Sequence, residues 1–118
     1  MVEKYLDFMS RKIYNKLIRD KVPELIKKRR AVPKISKRQG IQFRQALKEK
    51  LVEEANELLV AKTTTDVMDE LSDILQLVES IAHDYRIFFE EIVKQKNKKK
   101  KIRGAFEKKL FLKYVDES

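Results

Sequence analysis

Glu53-Glu54-Ala55-Asn56-Glu57, then twelve residues, then Glu70-Leu71-Ser72-Asp73: this stretch decides how the chain is read. Glu54 and Glu57 are three apart, and so are Glu70 and Asp73. Residues three apart on an α-helix share a face, one turn above each other. Two consecutive helices therefore each carry a carboxylate pair pointing one way. If those helices pack antiparallel, four acids converge. Four crowded acids repel one another, and each has a raised pKa unless positive charge sits among them. A hard divalent cation is the natural occupant, and Mg²⁺ in particular takes oxygen ligands beside substrate phosphates.

The flanking pattern predicts the helices that present these acids. Phe43, Leu47, Leu51, Ala55, Leu58 and Leu59 recur at helical spacing and predict a buried stripe. Glu54 and Glu57 fall on its flank at 100° per residue, and Glu53 points to the back. Ser36-Lys37-Arg38-Gln39 fits a capping box and predicts a helix from there to about Lys62, weakened slightly by Gly40. Thr63, with Asp66 three residues on, predicts the next N-cap. The following helix carries Val67, Leu71, Ile74, Leu75, Val78 and Ala82 inward, with Glu70 and Asp73 on a flank bordered by Ile74 and Leu77.

Upstream, Ile13 to Ile18 reads equally as a strand or an extended segment. Asp20 is a candidate cap for a short helix with Pro23 in its first turn, ending near Arg30. Downstream, Asp84 to Arg86 is a weak break without Gly or Pro, either a kink or no break. A third helix then runs from Ile87 into Lys98-Lys99-Lys100-Lys101 and stops at Gly104, a C′ glycine. Phe106, Leu110, Phe111 and Leu112 form an apolar, extended or strand-like tail expected to dock on the bundle. Residues 1–12 read as a flexible lead, and 13–118 as one helical domain.

Composition narrows the classes. The 118 residues suit one domain, in which roughly 60–70% of the unfolded surface is buried, so a thin core or an oligomer is expected. There is no cysteine, which excludes disulfides and thiolate metal sites and fits a reducing compartment such as the cytoplasm. No apolar run is long enough to span a membrane, and the N-terminus has no signal-peptide apolar stretch. Two glycines and two prolines among 40% charged residues favour helix. A net charge of +9 around an acidic site suits a polyanion such as a nucleotide, and suits a nucleic acid equally. The Lys98–Lys101 run is either a solvated helix end or a phosphate clamp. His83, the single histidine, has no companion at metal-ligand spacing.

The motif Glu-Glu-x-x-Glu, twelve residues, Glu-x-x-Asp resembles the metal motif of the all-α nucleoside triphosphate pyrophosphohydrolases, the superfamily of MazG proteins and phosphoribosyl-ATP pyrophosphohydrolase. Tyr14-Asn15-Lys16-Leu17-Ile18-Arg19-Asp20-Lys21-Val22-Pro23 resembles the opening of small MazG-like proteins, and Arg103-Gly104-Ala105-Phe106-Glu107-Lys108 their closing segment. One departure is the missing glycine after Asp84. The resemblance implies an all-α helical bundle completed by oligomerisation, as a homodimer or homotetramer, with short extended termini. It implies Mg²⁺, with Mn²⁺ as a substitute, on Glu54, Glu57, Glu70 and Asp73. It implies cleavage of a (deoxy)nucleoside triphosphate or related nucleotide between the α and β phosphates, with phosphoribosyl-ATP as an alternative substrate. A carboxylate only partly used by the metal, Glu54 or Glu57, would act as base, and Lys16, Arg19, Lys21, Lys99 and Arg103 are the candidate phosphate-binding residues. The competing reading is a non-enzymatic basic helical module that binds nucleic acid.

Overall fold

The computed structural model describes residues 10–118, so most of the expected flexible lead at 1–12 lies outside the described residues. Four α-helices and no strand occur among them: α1 Val22–Lys28, α2 Gly40–Val60, α3 Thr64–Asp84 and α4 Phe89–Arg103. The all-α helical fold expected from the sequence is what forms. Ile13 to Ile18 is irregular backbone rather than strand. The chain divides into two compact units, one ending at Val78 and the other running Glu79–Ser118, with the division inside α3.

Helix ends follow local chemistry, with several shifts from the sequence expectation. Thr63 caps α3 as expected, its Oγ1 accepting from the Asp66 N–H at 3.1 Å. Asp20 does not cap α1. Lys21 holds the N-cap position without a side-chain bond, and Pro23 sits in the first turn, where its missing N–H is harmless. The capping box at Ser36 is not used either, because the Ser36 hydroxyl instead accepts from Arg38 Nη1 at 2.9 Å. α2 starts at Gly40, whose φ of +55° is a left-handed conformation that glycine adopts without Cβ strain. It stops at Val60, two residues short of Lys62, where extended Ala61 turns the chain.

The ambiguous break after Asp84 is a full helix stop. The Ile87 N–H bonds the Ala82 carbonyl at 2.8 Å and the Arg86 N–H bonds the His83 carbonyl at 3.1 Å. That pair of bonds is the Schellman pattern, with Arg86 in the left-handed place at φ 59°. α1 ends in the same way, through Arg30 at φ 62° with Arg30 N–H to the Lys27 carbonyl and Ala31 N–H to the Ile26 carbonyl. Gly104 terminates α4 as expected, at φ 79°.

In the first unit, α2 and α3 are joined by residues 61–63 alone, a connection short enough to force an antiparallel pair. The seam between them is rotated from the stripe expected. On α2 it runs through buried Leu47, half-buried Leu51, buried Glu54 and half-buried Leu58, while Ala55 and Leu59 face out, Leu59 at 83% exposure. On α3 it runs through Val67, Glu70, Ile74 and buried Leu77, leaving Leu71 and Leu75 exposed. In the second unit, Ala82 is buried and Phe89, Ile92 and Val93 are half-buried on the first turns of α4. The tail does not dock: Phe106, Leu110, Phe111 and Leu112 are all exposed. Among the described residues no helix is long and apolar enough to cross a membrane.

The caps give two stability expectations of opposite sign. Thr63→Ala removes the bond to the Asp66 N–H and should lower stability by about 1 kcal/mol. Arg86→Gly relieves a left-handed non-glycine residue and should raise it by about 0.5–1 kcal/mol. Urea unfolding of both variants checks the pair, and equal signs would contradict the cap assignments.

Candidate metal centre

The seam of the first unit carries an unusual occupant. Glu54 is only 6% exposed and stands in the line Leu47–Leu51–Glu54–Leu58, where helical packing ordinarily places an apolar side chain. Across the seam, half-buried Glu70 and Asp73 face it from α3. Carboxylate oxygens of Glu54, Glu70 and Asp73 all lie within 4.8 Å of one another, and so do those of Glu53, Glu54 and Glu57. Glu54 belongs to both groups. Three of the four acids expected from the sequence, Glu54, Glu70 and Asp73, therefore gather in one group, and Glu57 adjoins it through Glu54.

Glu53 corrects the helical-wheel reading, in which it pointed to the back of α2. It is half-buried within the second group, because the seam lies closer to Glu53 and Glu54 than an apolar stripe ending in Leu58 and Leu59 implied. Its Oε1 accepts from Lys16 Nζ at 3.3 Å and from Lys50 Nζ at 3.2 Å.

Three cations stand against these five acids. Lys50 is the one that sequence reasoning missed. Its side chain is 17% exposed, and its ammonium lies 3.5 Å from Glu54 Oε1 as well as beside Glu53. The signal was present: Lys50 precedes Glu53 by three and Glu54 by four, the spacing at which helical side chains meet. Lys16 and Arg19 come from the segment before α1. Arg19 Nη2 donates to Asp73 Oδ1. Two of the expected phosphate-binding cations are thus already held at the acids. Lys21 is exposed at the start of α1. Lys99 and Arg103 are exposed on α4, in the unit Glu79–Ser118.

Even with these cations the centre is under-compensated. Glu54 Oε2 and Glu70 Oε2 are buried atoms that no donor reaches when both groups are ionised. A buried acceptor without a partner is costly, more so for a charged one. A proton or a cation is required there. The titration of the acids reflects this. The hydrogen bond shared with Glu54, then burial and the charges of Glu57 and Glu54, push Glu70 up to about 7. Glu57 is also raised, first by its hydrogen bond with Glu54, then by burial and the Glu54 charge. Burial pushes Glu54 up, but hydrogen bonds from Glu70 and Glu57 and the Lys50 ammonium outweigh it and hold this carboxyl below its ordinary value. A proton shared between Glu54 and Glu70 fills the gap at low pH, and a divalent cation would do so at higher pH.

The donor set fits such a cation. It is all oxygen, anionic and preformed on two helices, as Mg²⁺, Mn²⁺ or Ca²⁺ requires. Two oxygens on one Mg²⁺ with bonds of about 2.1 Å are at most about 4.2 Å apart. Ligands at right angles on it are closer, about 3.0 Å apart, so oxygens within 4.8 Å of one another would close on such an ion by drawing in up to about 2 Å through rotation of the flexible glutamate ends.

No family model, no curated protein and no solved structure matches the chain. The chemistry of the centre therefore rests on its own residues.

The raised acids make stability depend on pH in a definite direction. Glu70 and Glu57 bind protons more tightly folded than unfolded, so their contribution is fully present below the ordinary carboxylate value and is lost as pH rises through the folded value. For Glu70 that window runs from about 4.5 to about 7. Metal-free protein should lose thermal stability between about pH 5 and about pH 8, and Glu70→Gln should flatten the loss. Melting curves in chelator across this range test it. A melting temperature that climbed with pH would contradict the crowding.

Proposed function

We propose that this chain is a Mg²⁺-dependent nucleotide pyrophosphohydrolase of the MazG-like all-α type, converting a nucleoside triphosphate or related nucleotide to the monophosphate and pyrophosphate. The observation that carries the reading is the buried, donor-less oxygen pair of Glu54 and Glu70 amid five acids on one helix pair. A purely structural role does not account for it. Burying an acid on a helix seam without a partner destabilises the fold, whereas the same arrangement gains stability once a cation binds. The motif spacing and the Tyr14–Pro23 and Arg103–Lys108 segments supply the resemblance that turns a metal centre into this activity.

Glu54, Glu57, Glu70 and Asp73 would hold the ion, with Glu53 close enough to join them. A Mg²⁺ ion held by these residues would supply charge neutralisation at the phosphate oxygens and a template for in-line attack by water. Glu57 is the exposed acid of the cluster and its proton affinity is raised, so it is suited to take the proton of the attacking water. The new bond forms from water oxygen to the α phosphorus, and the bond to the bridging oxygen breaks as pyrophosphate leaves. Lys16 and Arg19, beside the acids, meet phosphate charge arriving with the metal. Lys21, Lys99 and Arg103 remain candidates for the same task, with Arg103 the better shaped for phosphate.

Assembly belongs to the same reading. Among the described residues Leu47, Leu77 and Ala82 are the buried apolar side chains, while Leu59, Val60, Met68, Leu71 and Leu75 stand exposed on the two helices that carry the acids. A second copy would cover such a face, giving a homodimer or a pair of dimers. Sedimentation at micromolar concentration should show the oligomer, and a clean monomer would contradict it.

A panel of nucleotides, phosphoribosyl-ATP included, assayed for pyrophosphate release with and without Mg²⁺ tests the activity. Release should vanish in chelator. Glu57→Gln and Asp73→Asn should each reduce it by about 100-fold or more with the helical fold retained by circular dichroism. Glu53→Gln should reduce it less. Full activity in either of the first two variants would remove the ligand assignment.

A further inference from the structure

We propose that the second unit carries a docking surface for single-stranded nucleic acid, formed by the cationic half of α4 and the aromatic tail that follows it. This inference does not depend on the proposed hydrolase activity.

From Lys94 to Arg103 the chain has six lysines, one arginine and no acid, and every one of those cations is exposed. Cations in the last turn of a helix complement its dipole, but that effect is confined to the last turn. Lys94, Lys96 and Lys98 lie before it. Among the described residues none of the seven forms an ion pair, and the one bond made by their side chains is Lys96 Nζ to Asn97 Oδ1 at 3.0 Å. Lys94 and Lys98 are four apart, and Lys98 and Lys101 three apart, so they form a ridge of mutually repelling charges. Such a ridge destabilises a helix that stands alone and is relieved by a polyanion.

The distribution of charge separates the kinds of polyanion. A helix that lies on an anionic membrane keeps one apolar face. On α4 the face begun by Phe89, Ile92 and Val93 continues as Lys96, Lys99, Lys100 and Arg103, so cations encircle the helix. The ten residues rise about 14 Å, the length of about four stacked nucleotides. Beyond Gly104, three aromatic rings stand in solvent: Phe106 at 94%, Phe111 at 88% and Tyr114 at 76% exposure. Lys108, Lys109 and Lys113 stand between them, with Glu107 beside Phe106 and Asp116 and Glu117 after Tyr114. Rings exposed to this degree, interleaved with cations, are what unpaired bases stack on, and a duplex has no free base faces to offer them.

Fluorescence anisotropy with labelled oligo-dT and oligo-rU of about 20 nucleotides, using the full chain, tests the surface. Binding is expected at about 50 mM salt and should weaken about 50-fold at about 200 mM if about four phosphates are neutralised. The neutral triple change Lys94→Gln, Lys98→Gln, Lys101→Gln should reduce both the affinity and the salt slope. Phe111→Ala and Tyr114→Ala should each weaken binding about ten-fold and leave the slope unchanged. Absence of binding at the lower salt would overturn the proposal. So would aromatic variants that bind as the parent does, or a preference for phosphatidylserine vesicles or duplex DNA over the oligonucleotides.

Discussion

Carboxylate crowding at Glu54 is the constraint to which the first unit answers. Two like charges about 4 Å apart repel by roughly 4 kcal/mol at the effective dielectric near a protein surface. That is several times the stabilisation of a helix cap and comparable with the net stability of a small domain. The unit meets it with three devices. Lys50 reaches Glu53 and Glu54 along the same helix, Lys16 and Arg19 reach across from the segment before α1, and Glu70 retains its proton to about pH 7. These offsets leave two buried oxygens without a donor. The residual deficit is what makes the centre receptive to a cation rather than merely tolerant of its own acids.

Much of this was legible in the sequence, and the failures have physical causes. The helix pair, the Thr63 cap and the Gly104 stop followed from local chemistry that nothing else overrode. The meeting of Glu54 with Glu70 and Asp73 across the helix pair followed from helical periodicity and a short connection. The phase of the seam did not, because α2 and α3 carry apolar residues on two faces. Leu59, Leu71 and Leu75 pulled the expected stripe away from Glu54 and Leu77, and only the packing of one helix on the other selects between the faces. The same error sent Glu53 to the wrong side. Ser36 had the pattern of a capping box but lost to a glycine able to take φ +55° four residues later. The stop at Asp84 was obscure because arginine occupies the left-handed position where glycine is expected. Lys50 was overlooked because lysine reads as solvent-facing, although its stem can run along the seam while the ammonium meets the acids.

The two units divide the chain's chemistry unequally. The first holds the acids and, on the same two helices, the exposed apolar side chains Leu59, Val60, Met68, Leu71 and Leu75. The second holds the seven cations of Lys94–Arg103 and, among the described residues, most of the exposed aromatic rings. Each surface asks for a different complement: metal and phosphate at the acids, apolar cover at the outer α2–α3 face, extended anion at α4.

The sequence distances of the ion pairs carry a consequence for how the first unit is assembled. All five acids lie between Glu53 and Asp73, so closing the α2–α3 hairpin is enough to bring them together. Lys50 is equally local. Lys16 and Arg19 are separated from their acids by 37 and 54 residues. Loop-closure entropy rises with the logarithm of that separation, so the repulsion is assembled at low contact order and most of its relief at high contact order. Lys50 is a counter-charge available at no extra closure cost. Its removal should slow refolding more than removal of Lys16 or Arg19, which stopped-flow kinetics at low salt would resolve by comparing the folding arms of the three variants.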